Sequence, residues 1–219
     1  MKKVLASNKF LNTIEVIDIA EEGKGVGKAD DLVLFIDKAI PGDIVDVELM
    51  RKKKRFFEAK IHRVVKPSEH RTTPFCEHFG ICGGCKWQHM SYAAQLLFKQ
   101  KTVVDALQRL AKVDTSFIEP ILPSAESRYY RNKLEYTFSD RRWLTDEDIK
   151  NTEPMEMNAL GFHIPGRFDK ILDVEHCYLQ GDPSNAIRNE VRAFALANDY
   201  SFYNLKNHHG ALRNLIIRT

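Results

Sequence analysis

The sequence predicts a mostly β protein with an α+β second part: a small β-barrel over residues 1–66, then an α+β domain over residues 67–219. Three observations indicate this organisation. Short runs of β-branched residues alternate with turn residues in the first part, a long stretch free of Gly and Pro follows, and alternating strands then return. A chain of 219 residues is long enough for one or two domains.

Composition excludes some classes of protein. The chain is 43% hydrophobic and 29% charged, which is ordinary for a globular protein. No apolar run approaches the ~20 residues of a membrane span, so no membrane partner is expected. The amino terminus lacks the apolar segment of a secretory signal, which favours a cytoplasmic location. A net charge of +3 does not by itself indicate a nucleic-acid partner.

The barrel is predicted from four apolar runs at residues 13–20, 32–36, 44–50 and 56–65. The third run alternates strictly, with Val45, Val47 and Leu49 on one face. Pro-Gly-Asp at 41–43 is turn chemistry between two runs. Several short strands without a helical pattern favour a closed barrel, because closure removes exposed strand edges.

A glycine-rich segment, Gly-Lys-Gly-Val-Gly at 23–27, lies between two of these runs. Its spacing is not that of a dinucleotide-binding loop, and the run after it predicts a strand rather than a helix. We therefore expect a tight connection of the barrel that lies close to an RNA backbone.

Five consecutive cations form the predicted tip of the last hairpin: Arg51, Lys52, Lys53, Lys54 and Arg55. Phe56 and Phe57 follow them. Cations neutralise phosphates and aromatic rings stack on bases, so this segment predicts an RNA contact. The alternative is a solvated hairpin tip, and one of the two phenylalanines is expected to pack into the barrel.

The four cysteines have the layout of a metal centre. Cys76, Cys82 and Cys85 form a C-x5-C-x2-C triplet, and Cys177 stands far from it. Iron–sulfur clusters often use a triplet and a lone cysteine, whereas structural zinc usually uses two C-x2-C pairs. Two disulfides are the further alternative, although they are rare in the cytosol.

The second part of the chain contains a predicted helix at about 91–113, capped by Ser91, with an apolar stripe of Leu96, Val103, Leu107 and Leu110. Strands are predicted at 134–138, 160–163, 170–174 and 211–218, and a helix begins at Asp-Pro, residues 182–183. Arg131 and Lys133 lie beside two tyrosines. They predict either RNA phosphate contacts or simple surface solubility.

Several of these segments resemble a known family. Glu-Glu-Gly-Lys-Gly-Val-Gly at 21–27, Ala-Ile-Pro-Gly-Asp at 39–43 and the basic hairpin resemble the TRAM domain, an OB-like RNA-binding barrel. The triplet with the following Lys-Trp-Gln-His at 86–89 is similar to the cluster segment of RNA uracil-5-methyltransferases of the 23S, large-subunit rRNA type. Tyr-Arg-Asn-Lys at 130–133 and Leu-Arg-Asn at 212–214 are also similar to that family.

The resemblance implies a [4Fe-4S] cluster in the central domain, residues 67–219, with four ligands: Cys76, Cys82, Cys85 and Cys177. It also implies a TRAM barrel over residues 1–66 and large-subunit ribosomal RNA, not DNA, as the partner of a monomeric protein. The RNA-binding residues are then those of the hairpin and of the Tyr-Arg-Asn-Lys segment: Arg51, Lys52, Lys53, Lys54, Arg55, Phe56, Arg131 and Lys133.

The family transfers a methyl group from S-adenosylmethionine to C5 of uracil, using a cysteine nucleophile and a carboxylate base. Its cofactor lies in a doubly wound domain with a D-x-x-C-G-x-G loop. This sequence has no such motif and no cysteine to spare, so no catalytic or cofactor-binding residue is assigned. We expect the N-terminal portion of a longer enzyme, inactive alone, whose helix at about 91–113 packs on a C-terminal methyltransferase domain.

Two other functions remain open at this point. A stand-alone TRAM RNA-binding protein would hold structural zinc at the four cysteines. A TRAM-containing radical methylthiotransferase would need a C-x3-C-x2-C triplet with one open iron, and the spacing here differs from it. Metal analysis separates the first alternative from an iron–sulfur protein.

Overall fold

The computed structural model describes residues 9–20, 22–151 and 153–219. Contacts divide the chain into two compact units. Unit 1 comprises Met1–Pro74 and Lys86–Pro123, and unit 2 comprises Phe75–Cys85 and Ser124–Thr219. Residues 1–8 of the predicted barrel, and Glu21 of the glycine-rich segment, lie outside the described residues. No helix in the described ranges is long and apolar enough to cross a membrane.

Unit 1 contains the predicted closed barrel, which the structure confirms. Its strands are β1 (Phe10–Ile19), β2 (Gly25–Ala29), β3 (Leu32–Asp37), β4 (Ile44–Lys52) and β5 (Phe56–Lys66). They close in the order β1-β2-β3-β5-β4. Only the β3–β5 pair is parallel among these pairings. The alternation of the sequence buries Val45 and Val47 completely, and each such side chain stabilises the fold by roughly 1.5–3 kcal/mol.

The glycine-rich segment differs from its prediction as a tight connection, because β2 begins within it. A Cβ at Gly25 would lie 2.8 Å from Val16 Cγ1, and one at Gly27 would lie 2.7 Å from Ile14 Cγ2. The two glycines therefore let β2 lie close against the side chains of β1 inside the barrel. Only Gly23, with φ +85°, occupies the turn before the strand.

The predicted turn at 41–43 holds two segments of unit 1 together through Asp43 and is called its anchor below. Asp43 is completely buried, and its carboxylate accepts hydrogen bonds from the backbone N–H groups of Ile40 at 2.8 Å and Ser68 at 2.9 Å. The Arg71 guanidinium donates to both oxygens, each at 2.7 Å. This bidentate pair ties the segment after β5 to the β3–β4 turn.

The predicted helix is α1 (Tyr92–Ala106), which continues as a π-helical turn over Leu107–Ala111. Ser91 Oγ accepts from the Ala94 N–H, as the capping prediction requires. The helix was predicted inside the domain at 67–219, whereas its contacts place it in unit 1. The reason is packing: Ala94 and Phe98 share a buried cluster with Ile19, Ile40 and Met90.

The predicted apolar stripe of this helix is not the buried face. Val103 is 54% exposed, Leu110 is 83% exposed, and the neighbouring Leu97 is 57% exposed. Unit 1 therefore presents a run of large apolar side chains on the outer side of α1.

Unit 2 is built on a four-stranded antiparallel sheet in the order β8-β7-β6-β9. Its strands are β6 (Lys133–Ser139), β7 (Ala159–Ile164), β8 (Arg167–Asp173) and β9 (Asn214–Arg218), with helices α2 (Asp146–Lys150) and α3 (Ser184–Ala197). The α+β organisation predicted for this part is confirmed. Pro183 is the N-cap of α3, not a residue of its first turn, and Asp182 makes no cap there.

Candidate metal centre and RNA-binding surfaces

All four cysteines lie in unit 2 and are free thiols. The triplet occupies the segment 75–85, and Cys177 follows β8. Cys177 is 7% exposed and belongs to the core of the unit, against which Cys82 and Cys85 also pack. The fold thus brings Cys82 and Cys85 of the triplet to the core that contains Cys177.

The thiols are electrostatic neighbours. The pKa of Cys82 is raised to about 11, chiefly by burial and further by the charges of Cys85, Cys177 and Cys76, while the Gly84 N–H lowers it. Burial likewise raises the pKa of Cys76 and of Cys177, and Cys85 adds to both shifts. The thiols of Cys76, Cys82 and Cys177 are thus neutral in the metal-free protein, so binding of any metal there would release protons.

Hydrogen bonds fix the loop that carries the triplet. The Gly83 N–H donates to the His163 carbonyl of β7 at 3.1 Å, and a Cβ at Gly83 would lie 2.6 Å from that oxygen. The Gly84 N–H donates to Cys82 Sγ at 3.3 Å. Glycine at these two positions lets the loop lie directly against the sheet and leaves space beside the sulfur.

The distant cysteine is held by a residue that the sequence did not indicate. Asn185 Oδ1 accepts from the Cys177 N–H at 2.8 Å, and Asn185 Nδ2 donates to the Cys177 carbonyl at 3.1 Å. A side chain on the first turn of α3 therefore fixes the backbone of the cysteine on both sides. No spacing rule connects positions 177 and 185, so only the fold reveals this pair.

The thiols do not converge as ligands to a single ion would. Among the described residues, no group of three or more His, Cys, Asp or Glu side chains is placed to hold a metal ion. Tetrahedral zinc requires four sulfurs at about 2.3 Å from one point. A four-iron cluster takes one thiolate at each iron and so spreads its ligands wider. Four soft thiols in one unit are the donor set of such a cluster, and its presence stays a prediction.

The basic hairpin lies where the sequence placed it, at the tip between β4 and β5. The Lys53 N–H donates to the Phe56 carbonyl at 2.9 Å and closes the turn. Arg51, Lys52, Lys54 and Arg55 are exposed. Phe57 is only 9% exposed and packs in the barrel core, as expected for one of the two rings. The Phe56 ring instead meets Phe35 edge to face at 4.8 Å.

The second predicted RNA segment lies beside the cysteine region of unit 2. The Tyr129 N–H donates to the Tyr178 carbonyl, and the Arg131 N–H donates to the Leu179 carbonyl, both at 2.8 Å. This pairing places Arg131 and Lys133 on the surface, with Lys133 as the first residue of β6.

An aromatic cluster adjoins this segment and was missed in the sequence. It consists of Phe75, Tyr129, His176 and Tyr178, with Arg128 over one ring. The Tyr178 ring lies 5.3 Å from Phe75 and 4.4 Å from His176, and the Arg128 guanidinium lies 4.2 Å from the Phe75 centroid. Rings with a stacked arginine are a platform for bases. The sequence run Arg-Tyr-Tyr-Arg at 128–131 supplies only Arg128 and Tyr129 of this cluster. The other rings come from two distant segments, so the run alone does not indicate the cluster.

The fold is similar to that of a solved protein. No family model matches the chain. A Pyrococcus abyssi tRNA (uracil-54, C5)-methyltransferase, solved with S-adenosyl-L-homocysteine, has a similar fold with a TM-score of 0.60. The match covers 94% of this chain and 42% of that one at 22% identity.

Two sequence relatives show what the chain is similar to. A Bacteroides thetaiotaomicron protein named uncharacterized RNA methyltransferase is 51% identical over 92% of the chain, and one from Porphyromonas gingivalis is 44% identical over 94%. Over nearly its whole length, the chain is therefore similar to proteins named RNA methyltransferases. It spans less than half the length of these relatives, 44% and 46%, and corresponds to their N-terminal part.

Proposed function

We propose that the protein acts in S-adenosylmethionine-dependent methylation of uracil C5 in large-subunit ribosomal RNA. The observation that carries this proposal is the combination in one chain of a closed barrel with a basic hairpin and a four-cysteine α+β unit. RNA methyltransferase relatives and a uracil C5-methyltransferase of similar fold support the same reaction. The protein is proposed to work as a cytoplasmic monomer.

In this proposal the described chain binds RNA and leaves the chemistry to the remaining length of the enzyme. The barrel acts as a TRAM domain, whose hairpin cations contact phosphates. The aromatic cluster, with Arg131 and Lys133 beside it, receives unpaired bases. The exposed apolar face of α1 is the surface on which a methyltransferase domain would pack.

The four cysteines are proposed to hold a [4Fe-4S] cluster with a structural role. Four thiolates occupy the fourth position of every iron, so such a cluster would tie the triplet segment to the segment after β8 rather than act on substrate. The buried position of Cys177 and its two backbone hydrogen bonds with the Asn185 side chain support a rigid ligand.

Metal analysis tests the centre. Protein purified without oxygen should contain about four irons and about four sulfides per chain. Cys177→Ser should lose most of them, whereas Thr137→Ser, a conservative change in the same unit, should keep them. Unchanged iron and absorbance in Cys177→Ser would remove that residue from the site. Zinc without sulfide in the wild-type protein would instead support an RNA-binding module with a zinc centre.

Cofactor titration tests the division of labour. Calorimetry of this chain with S-adenosylmethionine should show no heat of binding, and methylation assays on a 23S rRNA transcript should be blank. A version as long as the relatives should convert uridine to 5-methyluridine in that transcript. Micromolar cofactor binding by this chain alone would contradict the proposal, because it would place a cofactor site among residues 1–219.

A further inference from the structure

The most unusual buried group in unit 2 is Arg188 of α3. Among the described residues, it is the largest side chain that is completely buried. Its hydrogen-bond acceptors are uncharged: Asn185 Oδ1 at 2.8 Å, Tyr136 Oη at 3.3 Å, Asn189 Oδ1 at 3.0 Å and the Glu175 carbonyl. Its Nε has no hydrogen-bond partner.

An arginine side chain stays protonated in proteins, so a cation is enclosed here. Enclosing a cation is unfavourable unless an anion faces it. Within the described part of the chain, no carboxylate forms an ion pair with Arg188, whereas Arg192 on the next turn of the same helix pairs with Asp173 at 2.7 Å. The fold therefore contains a buried positive charge whose counterion is not a carboxylate.

The groups around Arg188 lead to the cysteines. Asn185 Oδ1, which accepts from the guanidinium, also accepts from the Cys177 N–H. The Glu175 carbonyl, two residues before Cys177, accepts a hydrogen bond from Arg188 Nη2. Asn185 thus links this cation to the backbone of Cys177, whose thiol would become a thiolate on binding a metal.

We propose that Arg188 is the buried countercharge of the four-cysteine centre and positions its Cys177 ligand through Asn185. This inference rests on the proposed [4Fe-4S] centre. A cluster with four thiolates carries a net negative charge, which increases on reduction. A fixed cation beside it stabilises the loaded state over the metal-free one, and the reduced state over the oxidised one. Arg188 is a positioning residue in this scheme and contacts no substrate.

The test compares Arg188→Met, which removes the charge at similar length, with Arg188→Lys, which keeps it. Arg192→Met is the matched control on the same helix, because Arg192 already has a carboxylate partner. Three quantities are measured on anaerobically purified protein: iron and sulfide per chain, the rate of iron loss to a chelator, and the midpoint potential of the cluster. Thermal unfolding of the metal-free forms is the fourth.

We expect Arg188→Met to lose iron to the chelator at least several-fold faster and to have a more negative midpoint potential. Arg188→Lys and Arg192→Met should stay close to wild type in both. The metal-free form of Arg188→Met should unfold at or above the wild-type temperature, because it no longer encloses an unpaired cation. Arg188→Met should therefore destabilise the cluster-loaded form and not the metal-free form. Loss of a purely structural arginine would destabilise both forms.

Each contrary result is distinct. Unchanged chelation rate and potential in Arg188→Met would overturn the countercharge and leave the cluster standing. Equal destabilisation of the loaded and metal-free forms would make Arg188 a structural tie only. If Arg188→Met does not fold, Arg188→Lys decides, and loss of the cluster there despite the retained charge would overturn the inference. Wild-type protein without iron and sulfide would overturn the proposed centre together with this inference.

Discussion

The two units differ in what fills their cores. The barrel core is almost entirely aliphatic, with Leu34, Ile36, Val45 and Val47 completely buried. Unit 2 instead buries polar and chemically reactive groups at its centre: Tyr136, Gln180, Arg188 and Cys177. Aliphatic side chains gain free energy simply by leaving water, whereas buried polar groups gain only when each finds its partner. The barrel can therefore be stable on its own residues, and unit 2 should respond to what binds its cysteines.

In unit 1 the buried carboxylate of Asp43 lies outside this aliphatic core and links two segments of the chain through hydrogen bonds. The largest effect is expected at Asp43, since Asp43→Ala leaves Arg71 and two backbone N–H groups without their acceptor. Removing one partner of a buried ion pair costs about 3–5 kcal/mol in the free energy of unfolding. Urea titration measures the loss. Asp37→Ala, at an exposed position on β3, is the control and should change stability by less than about 0.5 kcal/mol. A loss below about 1 kcal/mol at Asp43 would contradict its role as anchor.

Glycines test how tightly each unit is packed. A Cβ at Gly161 in unit 2 would clash with the backbone oxygen of Leu172, which cannot move without breaking the β7–β8 pair. At Gly27 in the barrel it would meet the Ile14 side chain at 2.7 Å, which can shift, and the Glu15 backbone oxygen only at 3.1 Å. We expect Gly161→Ala to cost about 3 kcal/mol and Gly27→Ala about 1–2 kcal/mol in unfolding free energy.

The control for both glycine variants is Gly181→Ala, where the nearest atom to a new Cβ, Tyr129 Cβ, is 3.9 Å away. It should be close to neutral by thermal or urea unfolding. Equal losses at Gly161 and Gly27 would mean that contact with backbone rather than side chain does not decide the cost.

Acid should weaken unit 1 through His89. This residue is 5% exposed, and its pKa is lowered to about 4, first by burial and then by the nearby Arg71 cation. Between that value and the ordinary histidine pKa of 6.5, the unfolded chain binds the proton and the folded chain does not. Stability is therefore lost as the pH falls through this window, by about 2 kcal/mol between about pH 7 and about pH 5.

His89→Gln removes this titration, so its loss of stability over the same pH interval should be smaller than that of wild type. The exposed His62 is the matched control for replacing a histidine, and His62→Gln should change stability at neutral pH by less than about 0.5 kcal/mol. Parallel curves for wild type and His89→Gln would show that the pKa of His89 is the same in the folded and the unfolded chain.

Patterns of the sequence predicted the barrel well because its strands alternate and its turns contain Pro, Gly and Asp. They failed at β2, where Gly25 and Gly27 indicated a connection. Glycine in a strand is needed only because β1 lies so close, and that distance is a property of the closed barrel.

The candidate centre was predictable to the level of its cysteines and no further. Cysteine is a rare residue, so a close triplet of cysteines together with one distant cysteine indicates a metal site. Asn185 and Arg188 carry no such signal, since Asn and Arg are common on helix surfaces. Their burial depends on how α3 packs on the sheet, which no local spacing encodes.

The two units should also bind RNA by different forces. In unit 2 the aromatic cluster offers stacking, which is worth about 1–3 kcal/mol per base and depends little on salt. Tyr129→Ala should weaken binding to a 23S rRNA fragment by about this amount, measured by fluorescence anisotropy, with an unchanged slope of log affinity against log salt. The exposed Tyr200 is the control, and Tyr200→Ala should bind as wild type does. A changed salt slope in Tyr129→Ala would contradict stacking.

In unit 1 the hairpin offers charge. Lys52, Lys53 and Lys54 lie at its tip, so replacing all three by alanine should change stability least of all these variants, by less than about 0.5 kcal/mol. RNA binding should weaken, and the log–log salt slope should fall by roughly 0.7–0.9 for each phosphate that the hairpin no longer neutralises. Replacing Lys112, Lys150 and Lys170, away from the hairpin, by alanine gives the matched removal of three charges. If both triple variants lower the slope equally, net charge rather than the hairpin attracts the RNA. A slope that falls only in the hairpin variant assigns the phosphate contacts to the barrel and leaves the bases to unit 2.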